Sequence, residues 1–260
     1  MGKKQRFVIV SDVHGFYDEM MDALDKVKFN PETDFLISCG DEWDRGNQPI
    51  EVMNFFDSLK RKAIIKGNHI QLFDELCLRG YPEFYDRSNG TLDTVKILGK
   101  YPLDREFDLC CERASNKTKR YRNSLVNYFE TKNYIFVHSW IPAINKDRLP
   151  AHYTYGRSFD FNPDWRNATQ KEWDDAMWGN PFDMAEQGLN QTGKTIVFGH
   201  WATEHKLAAV EGREEFGANA KFDIYYEDGI IGIDACTAYS GKVNVLVLED
   251  ELLDNDKRGV

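Results

Sequence analysis

Val8-Ile9-Val10-Ser11-Asp12-Val13-His14-Gly15 is a short apolar run that empties into a turn bearing a carboxylate and an imidazole two residues apart. The pattern returns four times. Phe35-Leu36-Ile37-Ser38-Cys39 leads into Gly40-Asp41-Glu42-Trp43-Asp44-Arg45-Gly46, and Ala63-Ile64-Ile65 leads into Lys66-Gly67-Asn68-His69. The run 134–137 ends at His138, and 196–198 ends at Gly199-His200. Short apolar runs bounded by glycine read as buried strands. Strand ends at one edge of an α/β sheet form the crevice where ligands bind, so five such turns can converge on one point. The adjacent glycines let the backbone turn tightly and approach a ligand.

Outward from these runs, the chain alternates strand and helix periods, as a layered α/β fold does. Strands are predicted over 6–11, 34–39 and 63–66. Phe16, Met20, Leu24 and Val27 recur at helical spacing, Asn30-Pro31 closes that helix, and a second helix is expected over about 49–59 with Pro49 in its first turn. Further strands are expected at 134–137, 195–198, 230–233 and 243–248, and a helix at 167–177. The late strands predict a second sheet packed on the first, an αββα sandwich, although periodicity alone equally admits one mixed sheet. The stretch 80–124 is polar and punctuated by Tyr81-Pro82, Ser88-Asn89-Gly90 and Tyr101-Pro102. It reads as a covering insertion in a single domain spanning 1–260.

A chain of 260 residues, 42% of them hydrophobic, suits one large core. A formal charge of -10 sets aside nucleic-acid polymers and anionic membranes as partners, because polyanion binding rests on clustered Lys and Arg. Five cysteines without a C-x-x-C pair fit a reducing compartment. The apolar run after the basic N-terminus is too short for a signal-peptide core, so a soluble cytoplasmic protein is expected. The aromatic run Tyr153, Tyr155, Phe159, Phe161 and Trp165 reads as packing rather than as a base-stacking platform. Tyr239 and Lys242 read as sheet residues.

Carboxylate, amide oxygen and imidazole are donors for hard or borderline divalent metals. Asp12 and His14 can reach one ion if their turn folds back, and Asp41 is placed to bridge two. A hydroxide between ions ~3.5–4 Å apart is a ready nucleophile for an in-line displacement at phosphorus. Two dications, less two carboxylates and one hydroxide, leave about one positive charge to attract a phosphate. Arg45 adds a fork matched to phosphate oxygens.

Together, Asp-x-His-Gly, Gly-Asp-x-x-Asp-Arg-Gly, Gly-Asn-His, a later His and a Gly-His resemble the calcineurin-like metallophosphoesterases. The Asp44-Arg45 pair resembles the phosphoprotein-phosphatase branch, which includes the eukaryotic serine/threonine phosphatases, the phage lambda phosphatase and the bacterial diadenosine tetraphosphatases. The resemblance implies a four-layer αββα sandwich with two mixed β-sheets and a dimetal site in the strand-end loops. It also implies that Asp12, His14 and bridging Asp41 hold one ion, and Asp41, Asn68, His138 and His200 the other. His69 would be the general acid, oriented by Asp44, and Arg45 would bind the phosphate. The expected cofactors are two divalent ions, Mn²⁺ first, with Fe or Zn²⁺ also suited.

Departures from the branch are equally specific. Lys66 precedes Gly-Asn-His where many members have Arg, and Ile70 follows where protein phosphatases have Glu. Met177-Trp178-Gly179-Asn180-Pro181 lacks an arginine, so a second phosphate-binding arginine either comes from elsewhere, with Arg157 and Arg166 equal candidates, or is missing. The segment from Ile233-Asp234 to Tyr239-Ser240-Gly241-Lys242 is similar to one in the bacterial members. The first expectation is a serine/threonine-type protein phosphatase acting on a phosphorylated substrate; the alternative is a dinucleoside polyphosphate hydrolase. A phosphate-binding scaffold without turnover ranks third, because no ligand or acid is lost.

Overall fold

A computed structural model describes residues 4–100, 106–146 and 158–253. In the first sheet β1 (Lys4–Val10) pairs parallel with β2 (Phe35–Ser38), and β2 with β3 (Lys62–Ile64). The other side of β1 takes antiparallel β11 (Leu246–Glu251), giving the order β11-β1-β2-β3. The second sheet has a parallel centre of β5 (Tyr134–Phe136), β8 (Thr195–Phe198) and β10 (Ile230–Gly232). Its antiparallel edges are β4 (Phe129–Glu130) and β9 (Tyr225–Glu227), giving β4-β5-β8-β10-β9. A two-stranded ribbon, β6 (Ile144–Asn145) with β7 (Phe159–Asp160), lies apart.

The central residues of the parallel strands, such as Phe7, Val8, Ile9 and Val10 of β1, are apolar because both of their faces are covered. Between the sheets, Phe7, Ile9, Phe35 and Ile37 of the first meet Phe129, Phe136, Val197 and Ile231 of the second. The outer face of the first sheet, through Val8, Val10, Leu36 and Ile64, packs on α1 (Tyr17–Lys26), α2 (Pro49–Ser58) and α3 (Asn68–Arg79). The outer face of the second, through Ile135, Ile196, Phe198 and Ile230, packs on Trp173 of α7 (Gln170–Ala176) and on Phe182 and Met184 of α8 (Pro181–Glu186). Four layers result, αββα, with two sheets as expected rather than one mixed sheet. The sheets are also joined at their margins by the parallel bridge Ile65–Val126 and the antiparallel bridge Thr131–Leu252.

The described residues of 80–124, read from sequence as a covering insertion, are largely helical and contribute to the core. They form α4 (Phe84–Ser88), α5 (Thr91–Gly99) and α6 (Phe107–Arg122), and Val95, Leu98, Cys110, Cys111, Ala114 and Tyr121 belong to the first core. Tyr239 is likewise not a sheet residue: it lies on the short α10 (Thr237–Ser240), and Lys242 follows in a loop. Phe159 and Trp165 are buried in the second core, as packing requires, whereas Tyr153 and Tyr155 lie outside the described residues. No helix of the described residues is long and apolar enough to cross a membrane.

One ion pair ties the first turn of α9 (Thr203–Glu211) to the chain beyond the helix. The buried Glu204 carboxylate accepts from both terminal nitrogens of Arg213 at 2.6 and 2.8 Å, and from the backbone N–H of Phe216 and Lys221 at 3.1 and 2.8 Å. Arg213 and these amides outweigh burial and draw the Glu204 acid down to about 2 from an ordinary 4.5. A depressed carboxyl stabilises the fold fully above its unfolded value and loses that contribution as pH falls towards 2. Glu204→Gln is therefore expected to lose about 2–3 kcal/mol at pH 7 in urea denaturation. The gap to wild type should narrow at pH 3; a gap unchanged between the two pH values would refute the charge-based account.

Candidate metal centre

The turns after β1, β2, β3, β5 and β8 bring all nine sequence-predicted residues to one place. Asp12, His14, Asp41, Asp44, Asn68, His69 and His138 are buried, His200 is half-buried and Arg45 is exposed at the mouth. Asp12, His14, Asp41, Asp44, Arg45 and His200 all have positive φ, between 50° and 74°. Asp and His tolerate this region better than bulky residues do, and strain held at such turns marks a functional site. Gly67 explains how the third turn fits, since a Cβ there would overlap the Asp41 carboxylate.

Asp41 is the hub. Its Oδ2 lies 3.9 Å from His14 Nε2, 3.8 Å from His69 Nε2 and 3.4 Å from His138 Nε2. Two clusters share it, His14–Asp41–His69 and Asp41–His138–His200, with ligand atoms within 4.8 Å of one another in each. Asp12 Oδ1 approaches His14 Nε2 at 4.0 Å, and Asn68 Oδ1 lies 2.8 Å from His138 Nε2 and 3.1 Å from His200 Nδ1.

The donor set fits divalent cations in type and in orientation. His14 Nδ1–H donates to the Trp43 carbonyl and His138 Nδ1–H to the Cys39 carbonyl, each at 2.8 Å, which turns both Nε2 atoms towards Asp41. A ligating histidine is ordinarily anchored in this way. Burial holds His14 well below its usual range and His200 at about 3, so both offer neutral lone pairs. Burial also pushes Asp12 up to about 6, and Asp234 well above the carboxylate range with Asp12 adding to the effect. For His138, burial is outweighed by Asp41, which raises it to about 9. Converging buried carboxylates and imidazoles of this kind are relieved by cations.

At the mouth, His69 Nδ1–H donates to Asp44 Oδ2 at 2.6 Å, leaving Nε2 facing the centre. Arg45 spans the gap, donating to His14 Nε2 at 2.9 Å and to His69 Nε2 at 3.4 Å. Of the two arginines proposed for a second phosphate contact, Arg166 is committed to Glu130 by bonds of 2.9 and 2.6 Å, and Arg157 lies outside the described residues. Lys66 pairs with Asp174 at 2.8 Å.

Sequence reading missed the residues that hold this centre. Thr91 Oγ1 donates to Asp44 Oδ2 at 2.6 Å and the Asp44 N–H to Thr94 Oγ1 at 3.1 Å, both from the overlooked α5. The sixth strand end, predicted as a strand at 230–233 and as similar to the bacterial members, was not counted among the site turns: Ile230-Ile231-Gly232-Ile233 runs into Asp234 with the same pattern, and beyond it Thr237 Oγ1 donates to the Asp12 carbonyl at 2.8 Å. Thr91→Val is expected to lower kcat about tenfold with little change in KM, by loosening the carboxylate that orients His69. Steady-state kinetics check this, and an unchanged kcat would remove Thr91 from the site.

Comparison with known proteins agrees with this geometry. Residues 5–208 match the family model of the calcineurin-like phosphoesterases. The chain is 42% identical over 286 aligned residues to the symmetrical bis(5'-nucleosyl)-tetraphosphatase of Erwinia tasmaniensis, covering 94% of each chain. It is 36% identical to serine/threonine-protein phosphatase 2 of Salmonella typhimurium over 61 residues, 24% of this chain and 28% of that one. In fold it is similar to a protein serine/threonine phosphatase of Saccharomyces cerevisiae, with a TM-score of 0.54 at 12% identity over 96% of this chain and 81% of the other. The chain therefore belongs to the calcineurin-like phosphoesterases, dinuclear metal-dependent hydrolases of phosphoric ester and anhydride bonds.

Proposed function

We propose that the enzyme hydrolyses dinucleoside polyphosphates, cutting diadenosine tetraphosphate symmetrically into two molecules of ADP. The observation that carries this reading is similarity along 94% of both chains to a symmetrical tetraphosphatase. The likeness to serine/threonine-protein phosphatase 2 of Salmonella typhimurium covers 61 residues, 24% of this chain. The initial ranking of protein phosphatase over dinucleotide hydrolase is thereby reversed. The segment after β10, similar to that of the bacterial enzymes, adds support by reaching back to Asp12 through Thr237.

In this reading Asp12, His14 and Asp41 hold one ion, and Asp41, Asn68, His138 and His200 hold the other, with Mn²⁺ the favoured occupant. When bound, the pair supplies Lewis acidity, activating water and drawing charge from phosphoryl oxygens. Arg45, exposed between the two imidazoles, takes the oxygens of the reacting phosphate. His69, anchored through Nδ1 by Asp44, delivers a proton from Nε2 to the departing oxygen. Asp41 is the residue common to both candidate clusters, so it would be the ligand shared by the two ions.

Product analysis with Mn²⁺-loaded enzyme tests the reading. Diadenosine tetraphosphate should give ADP as the sole nucleotide. AMP with ATP would show asymmetric cleavage, and no nucleotide product alongside phosphate release from a phosphopeptide would restore the protein-phosphatase reading.

A further inference from the structure

Five aromatic rings form a chain of neighbours that starts at His200 of the metal centre. The His200 ring lies 6.1 Å from Trp201, Trp201 5.5 Å from His205, His205 5.0 Å from Phe216, and Phe216 5.3 Å from Tyr239, centroid to centroid. Buried Phe222 touches the last two at 5.9 and 5.6 Å. Trp201, His205 and Phe216 are half-buried, and Tyr239 is 60% exposed. Both ends of this arc are tied to one residue of the centre. His200 N–H donates to Asp12 Oδ2 at 2.9 Å, and Thr237, two residues before Tyr239, donates to the Asp12 carbonyl.

The arc is held in place at a conformational cost. Phe216 has φ of 55°, a region that a bulky L-residue avoids. It stays there because its N–H donates to buried Glu204 and its carbonyl accepts from the Tyr239 hydroxyl at 3.1 Å. A strained aromatic residue fixed by its surroundings, in ring contact through His205 and Trp201 with His200 of the centre, points to a binding role. The phosphoryl chemistry uses none of the rings beyond His200, and His205 is occupied by Glu215 at 2.7 Å.

We infer that Trp201, His205, Phe216 and Tyr239 form a base-stacking shelf, which seats the nucleobase of a nucleoside polyphosphate whose phosphates lie at the Asp12–Asp41–His200 centre. This rests on the dinucleotide reading above. Every nucleobase presents a π-face, so a row of rings separates base-bearing from base-free phosphates without choosing among bases.

The test is the ratio of kcat/KM for diadenosine tetraphosphate to kcat/KM for p-nitrophenyl phosphate, measured on Mn²⁺-loaded enzyme. Tyr239→Ala and Phe216→Ala are expected to lower this ratio about 10- to 100-fold, as loss of one stacked base does. Tyr239→Phe, which keeps the ring, should hold it near the wild-type value. An unchanged ratio in both alanine variants overturns the shelf, and so does an equal loss on both substrates. Should the wild type leave diadenosine tetraphosphate uncut, the functional reading falls alone and AMP binding judges the shelf. Quenching of tryptophan fluorescence by AMP but not by inorganic phosphate, abolished in Trp201→Phe, would support it; no quenching, equal quenching by both, or quenching that survives Trp201→Phe would overturn it.

Discussion

Asp41→Asn is expected to leave a folded chain that no longer retains two metal ions and turns over at least about 10³-fold more slowly, roughly 4 kcal/mol of lost barrier reduction. Asp41 belongs to both candidate clusters, and its Oδ2 faces three imidazoles. An amide keeps the size of the side chain but removes the charge that offsets two dications. Its nitrogen also places a donor where an acceptor is needed, since Asp41 Oδ1 already accepts the His69 backbone N–H at 3.1 Å. Metal content after gel filtration, with a melting curve as the folding control, decides the matter. Two ions per folded variant chain would show that the bridge lies elsewhere.

The second large effect is expected at His69. Its Nδ1 is held by Asp44 and its Nε2 faces the centre, so His69→Asn should lower kcat about 10²- to 10⁴-fold while metal content stays at the wild-type level. Removing a general acid weighs most on poor leaving groups. The loss should therefore be steeper for a phosphoserine peptide or an alkyl phosphate than for a dinucleotide, whose departing ADP carries a phosphate with second pKa near ~6. The same ring also belongs to the cluster His14–Asp41–His69. If the variant loses an ion, His69 is a ligand rather than the acid; a loss independent of the leaving group also removes the acid role.

The centre was legible in the sequence because its chemistry sits where pattern is strongest, at the ends of apolar parallel strands. Asp12, Asp41 and Asn68 each follow a run covered on both faces, so the switch from apolar to polar marks the site and the strand end together. Boundaries moved where side chains were ambiguous. The last strand was expected over 243–248 and runs Leu246–Glu251, because its outer residues pair with β1 while alternating towards solvent.

The helices of 80–124 were hidden for a different reason. The buried stripe of α6 is Cys110, Cys111, Ala114, Thr118 and Tyr121, which has helical spacing but little hydrocarbon, and its other faces are strongly charged. A scan for large aliphatic residues finds no period there. In α5 the residues that touch the centre are threonines. Ser88-Asn89-Gly90 reads as a loop breaker, yet Gly90 at φ 84° starts α5 and lets the backbone pass beside Arg45. Side chains that support others carry no chemistry of their own in a linear reading. Thr91 becomes visible only when Asp44 is placed beside it.

Asp12, Asp41 and Asn68 belong to one sheet, and His138 and His200 to the other, so the ligands straddle the apolar seam between them. Metal uptake then acts on folding as well as on chemistry, because any ligand that prefers the native state deepens it by mass action. The amide protons of Val126 and Lys66, which donate to the Ile64 and Val126 carbonyls across the bridge that closes the seam near the centre, would exchange with deuterium faster after chelation. In the loaded protein the two halves would be released together, by global unfolding alone.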